Sequence, residues 1–297
     1  MKNLHIEHPE DTILTGDLSA IDALYDFDHT SVKIDGAPAI VWGTNPENGK
    51  FFVGTKSVFN KRIPKICYTE EDIFTFYDEE TQSSLIEILV NCLEYIPRTD
   101  GIYQGDFIGF GGTSTYKPNT ITYTFDEIIT QHVIIAPHTF YDGSVMKEME
   151  AYQLHDDLST TLFCKFVHPI VDRVRANVSA PVIDTRNIKF LDKKTAETCK
   201  KIVNCFIREG KPLTDALLTE IFGCAHLANL YQMVIEMKEE LIDSFIVTNC
   251  PKSTINGLNV KQEGFVITDY SDYSGRLLKL VDRERLSVAK FNNNKFH

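Results

Sequence analysis

Apolar and polar positions along this chain repeat with two different periods, which predict where its helices and strands lie. Apolar residues recur at helical spacing in 17–27, 69–77 and 81–95, and again through 189–247. Runs rich in β-branched and aromatic residues predict strands in 31–33, 38–44, 51–54, 102–110, 120–125, 132–140, 263–268 and 276–281. Helices and strands mixed in this order predict an α+β fold with antiparallel sheets.

The stretch 31–43 consists of two β-rich segments on either side of Asp35-Gly36. An Asp-Gly pair favours a hairpin turn, so the second segment is expected to be the antiparallel partner of the first. Lys33 ends the first segment among apolar neighbours, which disfavour the charged form of an amine and can make it a nucleophile. The alternative is a solvated strand lysine beside an ordinary turn.

Composition places the chain among ordinary globular proteins. It has 297 residues, 43% hydrophobic and 24% charged, which is enough for one large domain or two small ones. No apolar run is long enough to cross a bilayer and the N-terminus lacks a secretory segment, so a cytoplasmic protein without a membrane partner is expected. Seven cysteines without a C-x-x-C pair predict reduced thiols.

The formal net charge of −12 argues against binding of nucleic acid by the whole surface. Local basic clusters remain candidates, and each is either a nucleic-acid contact or a solvated face. The two clusters are Lys56, Lys61, Arg62 and Lys65, and Lys189, Lys193, Lys194, Lys200 and Lys201. The histidines lack metal-ligand spacing, so no histidine metal site is predicted.

Three further short motifs follow Lys33 in a fixed order. They are Gly105-Asp106-Phe107, Glu263-Gly264-Phe265-Val266, and the final β-rich run that carries Lys279. This series resembles the covalent nucleotidyltransferase superfamily of ATP-dependent DNA and RNA ligases and mRNA capping enzymes, and it is most similar to phage-type RNA ligases. Members of that superfamily have a K-x-D-G lysine, a Gly-Glu strand, an E-G-x-V strand and a final strand that bears lysine. The likeness runs from Lys33 to Lys279 as short islands.

The resemblance implies a role in catalysis for three residues. Lys33 corresponds to the lysine that attacks the α-phosphate of ATP, with release of pyrophosphate and formation of lysyl-AMP. Glu263 corresponds to the carboxylate that organises Mg²⁺, and Lys279 to the lysine that contacts the α-phosphate. The superfamily has two lysines in this last motif, whereas Val281 takes the second place here.

The resemblance also implies a set of nucleotide-binding residues. Asp35-Gly36 completes the K-x-D-G motif, and Asp106 stands where a glutamate usually hydrogen-bonds the ribose. Lys56 is a candidate for phosphate or ribose contact or is a surface lysine. His138 and Phe140 are candidates for stacking on the purine, and each could instead be packed in the core.

The domain organisation that this implies is an ATP-grasp-like adenylation domain formed by 1–188 and 248–297. The block 189–247 would be a helical insertion or lid, or it simply packs on the sheet. Only 18 residues follow Lys279 (297 minus 279), too few for an OB-fold. The insertion or a protein partner would then bind the substrate in place of the missing C-terminal domain.

The expected function is an ATP-dependent RNA ligase-like nucleotidyltransferase acting in RNA repair, with ATP and Mg²⁺ as cofactors and RNA or DNA ends as substrate. Pro38 stands where DNA ligases and capping enzymes have the arginine of K-x-D-G-x-R, and several RNA ligases also lack it, which favours RNA. The alternatives are a capping-type guanylyltransferase and a catalytically lapsed nucleotide-binding or RNA-binding module.

Overall fold

The structure, a computed structural model, describes residues 6–173, 180–260, 262–269, 276–284 and 286. The described residues contain seven α-helices: α1 (Pro9–Thr12), α2 (Ser19–Tyr25), α3 (Glu70–Phe76), α4 (Glu79–Tyr95), α5 (Lys193–Arg208), α6 (Asp215–Phe222) and α7 (Ala225–Ser244). Three short 3-10 helices cover Ile13–Thr15, Lys56–Phe59 and Met146–Glu148.

Fifteen strands lie in the described residues: β1 (His29–Val32), β2 (Ala39–Thr44), β3 (Phe51–Gly54), β4 (Ile102–Phe110), β5 (Thr115–Tyr116), β6 (Ile121–Thr124), β7 (Val133–Asp142), β8 (Glu150–Gln153), β9 (Cys164–Phe166), β10 (Ile170–Arg173), β11 (Phe245–Thr248), β12 (Lys252–Ile255), β13 (Leu258–Val260), β14 (Phe265–Asp269) and β15 (Arg276–Leu280). The protein is therefore a mixed α+β protein with several antiparallel sheets, as its hydrophobic pattern predicts.

The chain divides into two compact units, each made of separate stretches of sequence. Among the described residues, unit 1 comprises 34–168 and 249–253, and unit 2 comprises 6–33, 169–248 and the part that follows 253. Over the part of the sequence that the structure describes, the chain first passes from one unit to the other between Lys33 and Ile34. The predicted division into an adenylation domain and an insertion or lid concerns roles in binding and stays a prediction.

Unit 1 is built on a sheet with the strand order β3-β2-β4-β7-β8, and β9 pairs with β7 in parallel. One face packs against α3 and α4 through Trp42, Ile73 and Leu89, which are fully buried. The other face carries a smaller cluster that includes Val41 and Tyr141. Each strand of the sheet alternates between these two faces, because successive side chains of a strand point in opposite directions.

The hairpin predicted across Asp35-Gly36 is wrong. β1 pairs with β14, whereas β2 pairs with β3 and β4. The physical reason is that the backbone donors of the Asp-Gly stretch are taken by other segments of unit 1. The Asp35 N–H donates to the Tyr123 hydroxyl, the Gly36 N–H to the Asp106 carboxylate, and the Ala37 N–H to the carbonyl oxygen of residue 107.

Unit 2 contains the three-stranded antiparallel sheet β1-β14-β15 and a separate pair, β10 with β11. Alternate residues of β14 and β15, among them Phe265 and Leu280, point into one buried cluster with α2, α5, α6 and α7. The three helices α5–α7 occupy the stretch where the sequence predicts helix, and they supply much of this core. Within the described residues, no helix combines the length and apolar character needed to cross a bilayer.

Candidate functional site

Lys33 and Glu263 meet in unit 2 although 230 positions separate them in the chain. The Lys33 Nζ donates to Glu263 Oε2 over 2.5 Å, and their side chains are 35% and 12% exposed. Antiparallel pairing brings the two residues together: the last residue of β1 lies opposite Phe265, and the Lys33 N–H donates to the carbonyl oxygen of Gly264 over 2.8 Å. The pair is thus an ion pair at the end of a strand, partly shielded from water.

Gly264 allows β14 to begin this close to β15. A Cβ atom at this position would lie 2.5 Å from the carbonyl oxygen of Leu280 and 2.7 Å from Val281 Cγ2. Real Cβ atoms do not approach backbone oxygen so closely, so a larger residue would push the two strands apart. The glycine of the Glu-Gly-Phe-Val motif therefore has a packing reason that is independent of any ligand.

Lys279 lies on the same face of this sheet as Lys33. Lys279 pairs with Val266, Lys33 lies opposite Gly264, and residues two apart on a strand share a face. Burial lowers the pKa of Lys279, and the nearby charges of Arg283 and Lys33 act in the same direction against the opposing charge of Asp11. The three residues predicted to act in catalysis are thus gathered in unit 2.

Close to Lys279, unit 2 holds a buried network of charged groups that sequence patterns did not predict. Glu10 is completely buried, and its Oε1 accepts hydrogen bonds from Lys238 Nζ at 2.6 Å and from Arg283 Nη2 at 2.7 Å. Arg283 Nη2 also donates to Asp11 Oδ1 at 3.1 Å and to the Tyr231 hydroxyl at 2.8 Å. Residues from α1, from α7 and from the segment after β15 are tied together in this way.

The charge of Glu10 is compensated within this buried network. Burial by itself raises the pKa of Glu10, but Lys238 and Arg283 more than offset it and bring the pKa to about 2. Glu10 is therefore an anion held between two cations. His8 lies beside it, with Nδ1 at 4.0 Å from Glu10 Oε1, and burial lowers the pKa of His8 to about 2. A neutral histidine is thus packed against the network.

Unit 1 gathers a second group of predicted residues. Asp106 Oδ2 accepts from the Gly36 N–H at 3.3 Å, and Asp106 Oδ1 lies 3.6 Å from His138 Nε2. The same His138 nitrogen is 3.4 Å from Gln104 Nε2, whose side chain accepts from the Tyr141 hydroxyl at 2.7 Å. With 39% of its side chain exposed, His138 is available to a ligand on this face of the sheet.

The Asp-Gly stretch of the K-x-D-G motif is held from β6 and the turn before it. The buried Tyr123 hydroxyl accepts from the Asp35 N–H at 2.8 Å and donates to the Asp35 carbonyl oxygen at 3.2 Å. Asn119 Nδ2 donates to the same carbonyl at 3.1 Å and to Asp35 Oδ2 at 2.5 Å. Sequence analysis missed both partners, because 84 and 88 positions separate them from Asp35.

Two other predicted residues are not part of the group around Asp106. Phe140 pairs with Tyr103, and their rings lie 5.6 Å apart on the face of the sheet opposite to Gln104 and Asp106. Lys56 begins the 3-10 helix that follows β3 and is exposed. Of the two stacking candidates, His138 is the one on the Asp106 face.

An acidic cleft of about 330 Å³ lies beside Glu263 in unit 2. Its lining includes the carboxylates of Glu239, Asp243, Glu263, Asp282 and Glu284. Such a wall would repel the phosphates of a nucleotide unless cations accompany them.

Glu263 is chemically suited to Mg²⁺, which takes oxygen ligands and is usually held by one or two carboxylates together with substrate phosphates and water. No group of three or more Asp, Glu, His or Cys side chains is arranged to hold a metal ion within the part of the chain that the structure describes. The predicted metal-organising role of Glu263 stays a prediction.

Comparison with known sequences places the chain in a family. It belongs to DUF6267, described as a family of unknown function, which it matches over residues 3–222 and 213–295. No curated protein matches the chain significantly. No solved structure matches it significantly either.

Proposed function

We propose that this protein is an ATP-dependent RNA ligase-like nucleotidyltransferase with an adenylation fold, which forms a covalent lysyl-AMP on Lys33. The contact between Lys33 Nζ and Glu263 Oε2 carries the proposal. It joins two of the motif islands on which the resemblance to the superfamily rests. Lys279, from a third island, lies on the same face of the sheet.

In the proposed first step, the Lys33 nitrogen attacks the α-phosphorus of ATP. An N–P bond forms, the bond from the α-phosphorus to the β-phosphate oxygen breaks, and pyrophosphate leaves. The amine must first lose the proton that makes it an ammonium ion, and the Glu263 oxygen at 2.5 Å is in position to accept it. Lys279 would stabilise negative charge on the α-phosphate in the transition state.

The resemblance also implies nucleotide-binding roles, for Glu263 in unit 2 and for Asp106 and His138 in unit 1. Mg²⁺ bound with the help of Glu263 would neutralise part of the triphosphate charge. Asp106 would accept a hydrogen bond from the ribose; because aspartate is one methylene shorter than glutamate, a bridging water would complete the contact. His138 would stack on the purine.

In the proposed second step, an oxygen of a polynucleotide 5′-phosphate attacks the phosphorus of lysyl-AMP and the Lys33 nitrogen leaves. A 3′-hydroxyl then displaces AMP and closes the phosphodiester bond. RNA is the proposed substrate because Pro38 stands in place of the arginine that DNA ligases use.

The test is covalent labelling with ATP that carries ³²P in its α-phosphate, in the presence of Mg²⁺, followed by a denaturing gel. The wild-type protein should retain label that is released by acid and stable to alkali, as expected for a phosphoramidate. Lys33→Arg keeps the positive charge but removes the nucleophile and should abolish labelling. Lys201→Arg, at an exposed position on α5, is the matched control and should label normally.

Three results would contradict the proposal. Label that persists in Lys33→Arg would exclude Lys33 as the nucleophile. Labelling by GTP in preference to ATP would favour a capping-type guanylyltransferase. Absence of label with either nucleotide would favour a nucleotide-binding or RNA-binding module without transferase activity.

A further inference from the structure

The segment between β3 and α3 is a closed loop with a fixed base, named here the basic loop (55–66). At its base Val53 and Cys67 exchange two backbone hydrogen bonds, each of 3.0 Å. The Lys65 N–H donates to the Ser57 carbonyl oxygen at 3.1 Å, which closes the loop a second time. Val58 and Phe59 are buried in unit 1. Compact loops that are packed by their own side chains in this way often carry function.

The tip of the basic loop presents two cations and one apolar side chain to solvent. Lys61 and Arg62 are exposed, and Ile63 is 68% exposed. Neither cation has a hydrogen bond or ion pair to any residue that the structure describes. By contrast, Lys65 Nζ donates to the Phe76 carbonyl oxygen at 2.8 Å and is therefore engaged within the protein.

The second basic cluster of the chain differs in its setting. In α5, Lys200 Nζ lies 3.0 Å from Glu7 and 3.1 Å from Glu197, whereas Lys193 and Lys194 are exposed on the helix surface. The basic loop holds its two exposed cations beside an exposed apolar side chain, in a chain whose net charge is −12. Exposed cations at the tip of a loop with a hydrogen-bonded base suit an anionic partner.

We propose that Lys61 and Arg62 bind consecutive phosphates of a single-stranded RNA end and that Ile63 contacts a base beside them. This inference rests on the proposed function, because a ligase reaction requires a surface that binds a polynucleotide. Phosphate contacts of this kind position a strand without reading its sequence. A single exposed isoleucine with two cations is too little apolar area for stable attachment to a membrane.

The experiment measures binding of a short fluorescein-labelled single-stranded RNA by anisotropy over a range of salt concentrations, without ATP. Each phosphate contact on a single strand contributes about 0.7 to the slope of log K against log salt, so the double variant Lys61→Ala/Arg62→Ala should lose about 1.4 of that slope. At ~0.1 M salt the loss of these two contacts should make the double variant bind the RNA about 25-fold more weakly than wild type. Lys61→Arg/Arg62→Lys keeps both charges and should bind within a few-fold of wild type.

The matched control is Lys193→Ala/Lys194→Ala, which removes two exposed charges from α5 in unit 2. It should leave the affinity and the salt slope nearly unchanged. The inference is overturned if this control loses as much affinity as the loop variant, if the loop variant binds RNA like wild type, or if the loop proves to bind only vesicles that contain phosphatidylserine. Because binding is measured without ATP, failure of lysyl-AMP formation and failure of this surface are observed separately.

Discussion

At the scale of one residue, buried polar atoms without a hydrogen-bond partner indicate how stability depends on pH. His8 Nδ1 and Glu10 Oε2 are both buried and have no hydrogen-bond partner among the described residues. Burying a polar atom without a hydrogen bond costs free energy, and the cost is larger when the group is charged. The group therefore stays in the protonation state whose burial costs the least free energy. For His8 that state is neutral, since burial lowers its pKa from 6.5 to about 2.

This makes the stability of unit 2 sensitive to acid. Between pH 6.5 and about 2 the unfolded chain protonates His8 and the folded chain does not, so stability falls as the pH is lowered. His8 contributes at most about 1.4 kcal/mol per pH unit to the change of the unfolding free energy with pH. We predict that His8→Gln makes the unfolding free energy fall less steeply from pH 6.5 to 4.5 than in wild type.

The measurement is chemical denaturation followed by circular dichroism at several pH values. His226→Gln, at an exposed position on α7, is the control and should keep the wild-type slope. Equal slopes in His8→Gln and wild type would mean that His8 is protonated in the folded protein.

At the scale of an element, strand β6 hydrogen-bonds the K-x-D-G motif although the two are far apart in the sequence. Its Tyr123 hydroxyl satisfies both backbone groups of Asp35, and Asn119 holds the Asp35 carboxylate. Both the backbone and the side chain of Asp35 are therefore held by hydrogen bonds from this part of unit 1. Tyr123 is a positioning residue in the proposed reaction.

We predict that Tyr123→Phe slows lysyl-AMP formation about tenfold, since about 1.4 kcal/mol is lost when the Asp35 N–H loses the Tyr123 hydroxyl, while the Asp35 carbonyl keeps its hydrogen bond from Asn119. Tyr116→Phe is the matched control, because it too removes a tyrosine hydroxyl, which donates to the Thr113 carbonyl oxygen at 2.7 Å. The control should lose similar stability without slowing the labelling. Rates that fall equally in both variants would indicate a general effect of stability, which thermal melting of the two proteins would reveal.

At the scale of the whole molecule, the discontinuous sequence of unit 2 is held together by charge as well as by its apolar core. Glu10 and Lys238 are 228 positions apart, and both are almost completely inaccessible to solvent. Removing one partner of a buried ion pair leaves the other charge uncompensated, which costs more than the loss of the hydrogen bond alone.

We therefore predict that Lys238→Met destabilises the protein by about 3–5 kcal/mol, although methionine nearly matches the lysine in volume. Lys201→Met changes an exposed lysine on α5 and should alter stability by less than ~0.5 kcal/mol. Denaturant titration of the two variants gives both values. A loss below ~1 kcal/mol in Lys238→Met would show that Glu10 is compensated by Arg283 alone.

Part of the secondary structure followed from the sequence, because it depends on local periodicity. The sequence did not predict α1, β5 or β8–β13, and it predicted helix through 247, where β11 begins at Phe245. The alternation in 102–110 predicted β4 with the bounds that the structure shows, and the cap Thr69 with its Asp72 partner fixes the start of α3. The candidate catalytic lysines could also be named from short motifs. Periodicity, caps and short motifs each depend on residues that are close together in the sequence, so they carry no information about distant partners.

Strand partners and buried charge networks were decided only by the tertiary structure. A strand with a given pattern can pair with any other of suitable pattern, so Asp35-Gly36 suggested a hairpin that long-range hydrogen bonds replaced. Glu10 and Lys238 look like ordinary surface residues in the sequence, since the cost of burying each charge is offset only by a partner from a distant segment. Local sequence thus determined the longer elements and the candidate chemistry, whereas folding determined which strands pair and which charges meet.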